Sequence, residues 1–245
     1  MKKTVSVLAA VAVVAGASMA FAVGGDSNIK NSKHNIPQVF SAATQGTTSQ
    51  ICVYCHTPHN AAKAIPLWNR NTNIAAGSFV LYSSQTMSNS VRKTGFTSDS
   101  ISLFCMSCHD GATMGGSMVI NKPKNGSVYD ATASDVIAST KANFGGNLST
   151  THPVNFNLEN RNTGGAATFS STGQMRNDGK SDLVWASGNT YMGTNSAGTF
   201  PLFKSTRGDY SVECSSCHAV HDDYFAPFLR STMNASALCL GCHRK

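Results

Sequence analysis

The sequence is poor in charge and has no long hydrophobic run after its first residues. Charged side chains make up 13% of the 245 residues, about half the share that is usual in globular proteins. The formal charge of +7 is not gathered into a basic stripe interleaved with aromatics, as a nucleic-acid-binding surface requires. The sequence therefore predicts no nucleic-acid partner, and its surface repels copies of itself only weakly.

The longest apolar run, residues 5–16, follows Lys2 and Lys3 and leads to the small-residue pattern Ala20-Phe21-Ala22. A helix that spans a bilayer needs about 20 predominantly apolar residues, so this shorter run is typical of a secretory signal peptide. We expect residues 1–22 to be that signal peptide. Residues 23–245 are then expected to form one exported domain, with no transmembrane segment.

The eight cysteines fall into four pairs along the sequence, and two residues separate the cysteines of each pair. Eight cysteines in an exported protein ordinarily indicate four disulfides, but here a histidine follows every pair. The four C-x-x-C-H motifs are Cys52, Cys55 and His56; Cys105, Cys108 and His109; Cys214, Cys217 and His218; and Cys239, Cys242 and His243.

This motif is the attachment site of haem c, in which the two thiols bond to the haem vinyl groups and the adjacent histidine ligates the iron. Paired cysteines also bind zinc, but a zinc site does not require a histidine after every pair. The sequence therefore predicts four covalently bound haem c groups.

Four histidines remain outside the motifs, one for each predicted iron: His34, His59, His152 and His221. Four spare histidines for four irons indicate bis-histidine ligation throughout. A methionine ligand would raise the potential instead, and Met106, Met114 and Met118 near the second motif keep that alternative open. An iron with six ligands has no free position for a substrate, so the histidine count favours an electron carrier without catalytic residues.

The four motifs fall into two kinds. The first and third continue as C-x-x-C-H-x-x-H, whereas the second and fourth share the lead-ins SLFCMSCH and SALCLGCH. We interpret the chain as a di-haem unit repeated over residues 34–109 and 152–243. His59 follows His56 too closely to reach the far face of the same haem, so we expect it to ligate a neighbouring one. His221 is expected to do the same in the second unit, and the iron that His152 meets is left open.

Regular secondary structure is expected to be sparse, because Gly, Asn, Ser and Thr interrupt the chain every few residues. Short helices are predicted over residues 98–108, 133–141 and 234–242, with Ser98 or Asp99, and Asn234 or Ser236, as caps. Residues 118–120 and 183–186 are possible strands. We predict a mostly irregular, loop-rich fold with short α-helices and few short strands, wrapped around a haem stack that supplies the apolar core.

The strings ICVYCHTPHN, SKHNI, THPVNF, PLF and VECSSCHAVHD resemble bacterial multihaem cytochromes c of the doubled C-x-x-C-H class. The likeness is strongest to the outer-surface members that polymerise into nanowires in metal-reducing bacteria. This resemblance implies bis-histidine haems in a continuous stack, redox partner cytochromes and external electron acceptors. It also implies a homopolymer in which an N-terminal histidine, by position His34, ligates a haem of the next subunit.

The repeat allows two assemblies. If His34 and His152 each serve their own unit, the product is a monomer. If each serves the preceding unit, His34 of another molecule has to complete the second unit, and an open filament results. We expect the filament, at the cell surface, with a monomeric periplasmic shuttle as the alternative. A haem enzyme, such as a peroxidase or a reductase of small oxyanions, and a purely structural surface protein are the remaining interpretations.

Overall fold

The computed structural model of the chain describes residues 28–36, 50–62, 67–70, 76–84, 95–111, 119–121, 137, 141–157, 183–186, 189–195 and 198–242. The predicted signal peptide, His243, Met114, Met118 and most of the helix predicted over residues 133–141 lie outside these residues. Within the described ranges, no helix is long and apolar enough to cross a membrane.

The helices are short and lie at the C-x-x-C-H motifs. The α-helices are α1, Ser102–His109; α2, Cys214–Cys217; and α3, Ala237–Leu240. Single 3-10 turns occur at Ile29–Asn31, Ile51–Tyr54, Ala76–Ser78 and Asn234–Ser236. Each cysteine pair therefore lies on or directly beside one helical turn, and residues three apart on such a turn share a face.

The helix predicted ahead of the second motif is confirmed, but it begins at Ser102 rather than at residue 98. The predicted caps were wrong for a physical reason. Asp99 accepts hydrogen bonds from the backbone N–H (2.8 Å) and the hydroxyl (3.1 Å) of Thr206, in a different part of the chain. The Ser100 hydroxyl accepts from the Ser102 N–H at 3.3 Å instead.

The segment predicted as a helix over residues 234–242 is two short turns. Ala235 and Ser236 have φ values of 50° and 60°, and such left-handed backbone interrupts a right-handed helix. The prediction that Asn234 or Ser236 caps this helix was wrong. Neither of the two turns has a hydrogen bond from a capping side chain.

The strands form two sheets. Strands β1 (Val80–Leu81) and β2 (Asn147–Leu148) form a short parallel pair. Strands β3 (Phe156–Asn157), β4 (Leu183–Ala186), β5 (Asn189–Asn195), β6 (Gly198–Ser205) and β7 (Gly208–Val212) form an antiparallel sheet in the order β3-β7-β6-β5-β4. The strand predicted at Leu183–Ala186 is confirmed, whereas at residues 119–121 Val119 makes an isolated bridge to Arg70.

The antiparallel sheet as a whole is not predicted by the sequence. Strands β5, β6 and β7 contain Gly, Asn and Thr. Their apolar and polar residues do not alternate regularly, as they would in a strand with one buried face. They form because consecutive strands pair as hairpins, and the chain turns from β6 to β7 over two residues. The sheet leads directly into the third motif, because α2 begins two residues after β7 ends.

Two small apolar clusters lie among the described residues. The first contains Phe79, Leu81, Phe96, Met106 and Leu148, and the second contains Tyr54 and Val119. Met106 is 2% exposed inside the first cluster, so its side chain packs among apolar neighbours. The sparse helix and strand agree with the predicted irregular fold, and the wrapping of that fold around a haem stack stays a prediction.

Candidate haem sites

None of the eight cysteines is in a disulfide. The second and third motifs meet through a hydrogen bond between the thiols of Cys105 and Cys214. Cys108 lies near enough to Cys55 to raise its pKa, and Cys239 near enough to Cys217 to do the same, so the first motif is near the second and the third is near the fourth. The four attachment sites therefore follow one another in the order in which they occur along the chain.

Three of these thiols, those of Cys55, Cys105 and Cys217, have a raised pKa. Burial, and next the neighbouring Cys108, raise the pKa of the Cys55 thiol to about 12. Burial, and next Cys214, raise the pKa of Cys217 to about 11. A hydrogen bond to Cys214, followed by burial, holds the pKa of Cys105 well above its ordinary value. Since thiolates are the reactive form of cysteine, these three side chains resist adventitious oxidation before haem is attached.

A buried carboxylate joins the second motif to the third. Glu213, which is 0% exposed, accepts hydrogen bonds from the hydroxyls of Ser100 (2.7 Å) and Ser102 and from the amide of Asn155 (2.9 Å). The Ser102 hydroxyl also accepts from the backbone N–H of Cys214 at 3.0 Å. Because buried polar groups are costly unless they are paired, this network fixes how α1 and α2 sit together.

The loop after the first motif folds back onto that motif. The N–H of Thr57 donates to the carbonyl of Leu67 at 2.9 Å, and the carbonyl of Cys55 accepts from the N–H of Asn69 at 2.9 Å. Leu67 has a φ of 62°, which turns the chain sharply between these two bonds. His59 lies inside this loop.

The loop after the third motif has the same pattern. The N–H of Ala219 donates to the carbonyl of Phe228 at 2.6 Å, and the carbonyl of Cys217 accepts from Arg230 at 2.9 Å. Phe228 has a φ of 59°, close to that of its counterpart. His221 thus occupies the position in this loop that His59 occupies in the first. In both loops a proline, Pro66 or Pro227, stands directly before the residue with positive φ, and this proline is the one sequence signal that the two loops share there.

Most of the predicted ligand histidines that the structure describes have one ring nitrogen within hydrogen-bond distance of a backbone carbonyl. The Nδ1 atoms of four of them lie 2.6–3.1 Å from carbonyl oxygens: His34 from Val220, His109 from Ala142, His152 from Pro153 and His218 from Pro227. A carbonyl can only accept, so Nδ1 carries the proton in each neutral ring and Nε2 keeps its lone pair. This is how metal-bound histidines are commonly held.

Two pairs of histidine rings come together from distant parts of the chain. The ring centroids of His56 and His221 are 6.0 Å apart with an interplanar angle of 50°, and those of His109 and His34 are 6.3 Å apart with an angle of 72°. A metal ion between two imidazoles, with metal–nitrogen bonds of about 2 Å, separates the ring centroids by roughly 6 Å. Both pairs therefore fit a shared metal.

Three of the predicted ligand histidines, two spare ones and that of the third motif, have a lowered pKa. Burial is the main cause that lowers the pKa of His34, His218 and His221 below the ordinary value of 6.5. The neighbouring His56 and then Arg230 lower the pKa of His221 further. Neutral imidazole is the form that ligates a metal, so these rings are ready for ligation at neutral pH.

The remaining spare histidines, His59 and His152, are exposed, as is His221. The carbonyl of His59 accepts from the Thr57 hydroxyl at 2.9 Å and from the Asn121 amide at 3.1 Å, which fixes the backbone at this point. The ligation predicted for all eight histidines stays a prediction. In the described part of the chain, no three His, Cys, Asp or Glu side chains converge as a metal site.

A buried donor beside the first motif also fits a bound haem. Trp68 is 8% exposed, and its indole Nε1 has no hydrogen-bond partner among the described residues. Its ring lies 6.2 Å from that of His56 and 4.9 Å from that of Phe104, measured between centroids. A buried donor without an acceptor costs about 1–3 kcal/mol, and a haem propionate is an acceptor of the required chemistry.

A family model for the doubled CXXCH motif matches residues 208–245, which contain the third and fourth motifs. No curated protein matches the chain. The family match supports the class of multihaem c-type cytochromes, with haem c bound covalently through the CXXCH motifs and a role in electron transfer.

Proposed function

We propose that the protein is an exported electron carrier with four haem c groups, each ligated by two histidines. The observation that carries the proposal is the order of the attachment sites in space, in which each C-x-x-C-H motif adjoins the next along the chain. Neighbouring sites of this kind would hold redox groups close together, which is what electron transfer through a protein requires.

The roles of the side chains follow from their chemistry. Bound haem supplies one-electron redox chemistry. The eight cysteines would hold it through thioether bonds, and His56, His109, His218 and His243 would each ligate an iron. His34, His59, His152 and His221 would supply the second ligands and exclude water and substrate, which favours an electron carrier over a haem enzyme.

Mass spectrometry and absorption spectroscopy of the purified protein test the proposal. We expect the mass of the mature chain plus four haems, c-type bands, and low-spin irons in both redox states that do not bind carbon monoxide. A mass equal to that of the apoprotein would overturn it. Ready binding of carbon monoxide or cyanide would indicate a haem enzyme instead.

For the assembly, we propose an extracellular filament that delivers electrons to external acceptors and in which a spare histidine of one subunit ligates a haem of the next. The resemblance to outer-surface nanowire cytochromes and the weakly charged composition, 13%, support it. Electron micrographs of material sheared from the cell surface test it. Filaments of uniform diameter that carry haem are expected, and their absence from surface fractions that contain the protein would contradict the filament.

A monomeric periplasmic shuttle is the second candidate, and one observation favours it. His34 lies 6.3 Å from His109 of its own chain, measured between ring centroids, which is the contact expected if each upstream histidine serves its own unit. The same micrographs, together with light scattering of purified protein, distinguish this monomer from the filament.

A further inference from the structure

We propose the second ligands of two irons, one taken from the other half of the chain and one from the same half. The iron held by His56 takes His221 as its second ligand, and the iron held by His109 takes His34, all within one molecule. This inference rests on the proposed function, because it names the ligand partners at the same haem sites.

The geometry of the two pairs carries the assignment. Ring centroids at 6.0 Å and 6.3 Å, with the ring planes at 50° and 72° to each other, exclude face-to-face stacking of the imidazoles on one another. Two rings at this separation match a pair of ligands on opposite sides of one metal. In the second pair, the Nδ1 atoms of both His34 and His109 bond to carbonyls, which leaves both Nε2 atoms for the iron.

A single loop, residues 218–230, brings both distal ligands into place. The carbonyl of Val220 in this loop accepts from the Nδ1 of His34 at 3.0 Å, and the ring of Phe228 stacks on that of His34 with centroids 4.2 Å apart. His221, the residue after Val220, points its ring to His56. The loop that follows the third motif thus ties together the irons of the first and second motifs.

Ring contact by itself is not diagnostic, since Trp68 also lies 6.2 Å from His56. What separates the two histidine pairs from ordinary packing is that both members are metal-ligating side chains. Each pair joins a motif histidine to a spare one.

The pairing changes which residue can reach another molecule. The repeat alone assigns His221 to the second unit, and the family resemblance assigns His34 to the next subunit. If both serve irons of the first unit in the same molecule, a haem bond between subunits has to use His59 or His152, the two spare histidines that remain.

The test compares His221→Met with His59→Met, which alters the equivalent position of the other loop. Methionine preserves a sixth ligand and raises the potential of the iron it binds. Each substitution is made in the full holoprotein and in a chain that lacks the first haem through Cys52→Ala and Cys55→Ala. Redox titration then counts the haems whose potential has risen.

We expect His221→Met to raise one potential in the full protein and none in the chain without the first haem. His59→Met should raise one potential in both chains. A raised potential caused by His221→Met in the absence of the first haem would overturn the pairing. An apoprotein without c-type bands would instead refute the proposed function, so the two failures are distinguishable.

The second pair is tested by His34→Ala. One of the four irons should become high-spin and bind carbon monoxide, while the size distribution of the protein stays that of the wild type. Loss of filaments on this substitution would assign His34 to another subunit and overturn the pairing. If the variant chains fail to fold, a cryo-electron microscopy map of the wild-type holoprotein decides the question, because any residue other than His221 on the iron of His56 contradicts it.

Discussion

The hydroxyl of Ser102 in α1 donates a hydrogen bond to the carboxylate of Glu213, the residue that precedes the third attachment motif. The same hydroxyl accepts from the backbone N–H of Cys214 at 3.0 Å. Two attachment sites from the two halves of the chain are thus joined by a buried polar network of the protein itself. The spacing between the second and third haem sites depends on this junction.

Replacing the buried carboxylate should therefore loosen the junction. Glu213→Ala leaves the hydroxyls of Ser100 and Ser102 and the amide of Asn155 without their acceptor, and we expect a loss of about 3 kcal/mol or more in the free energy of unfolding. Glu213→Gln keeps the length of the side chain and one acceptor oxygen, so it should cost less. Urea unfolding of the holoproteins measures both, and equal stability of the Ala variant and wild type would contradict the role.

The fourth motif packs directly on the sheet at Gly241. A Cβ atom there would overlap the ring of Phe200 in β6, with two further ring atoms at 2.8 Å. Phe200 is 2% exposed and has little room to move, so Gly241→Ala should destabilise the protein by about 1–3 kcal/mol. Because Gly241 separates Cys239 from Cys242, we also expect a smaller yield of the fourth haem, measured by mass spectrometry.

Gly77 provides the matched control for this substitution. A Cβ atom at Gly77 meets nothing within 4 Å, so Gly77→Ala should change the free energy of unfolding by less than about 0.5 kcal/mol. Similar losses for both alanine variants would show that the contact with Phe200 has no special effect.

The indole of Trp68 should influence the haem of the first motif. If Nε1 donates to an ionised propionate, Trp68→Phe leaves more negative charge beside the iron and favours its ferric form. A hydrogen bond of about 1 kcal/mol corresponds to roughly 40 mV for a one-electron couple, so one potential should fall by at most this amount. Phe104→Leu alters the packing against Trp68 without removing a donor, and its potentials should remain those of wild type in a redox titration.

Asp99 should make stability depend on pH in acid. Partial burial alone would raise its pKa, but hydrogen bonds from Thr97 and Thr206 outweigh burial and lower the pKa below the ordinary value of 3.8. A carboxylate with a lowered folded pKa stabilises the fold above its unfolded pKa, and this contribution disappears as the pH falls through the folded pKa. We expect Asp99→Asn to melt with a flatter pH dependence between roughly pH 2 and 5.

Thr206→Val is the companion variant for Asp99. It removes the hydroxyl donor at 3.1 Å and keeps the backbone N–H at 2.8 Å, so its pH dependence should lie between those of wild type and Asp99→Asn. If all three proteins share one melting profile, the hydrogen bonds to Asp99 do not contribute.

The secondary structure was predictable where a short pattern determines it. The SLFCMSCH segment has helix-forming residues in sequence and forms α1, and the apolar run Leu183–Ala186 forms β4. Strands β5 to β7 could not be predicted because they contain few consecutive apolar residues. Their formation depends on pairing with one another and on the packing of Phe200 beneath Gly241, which are contacts between residues far apart in sequence.

The candidate site shows the same division. The C-x-x-C-H spacing by itself identifies the haem-binding cysteines and the motif histidines, because a local motif defines the chemistry of attachment. Which spare histidine each predicted haem would take as its second ligand depends on contacts between segments that are far apart in the sequence. His59 and His221 have equivalent positions in equivalent loops and are both exposed, and the ring of His221 lies beside that of His56.

The sequence by itself therefore determined how many haem motifs there are, their order and the supply of histidines. These features depend on residues that are neighbours along the chain. Only the tertiary structure decided that Glu213 joins the second motif to the third, and that Trp68 places a buried donor beside the first. It also decided that the ring of His34 lies beside that of His109, and the ring of His221 beside that of His56. Such contacts depend on how distant segments pack, and no short-range pattern in the chain records that packing.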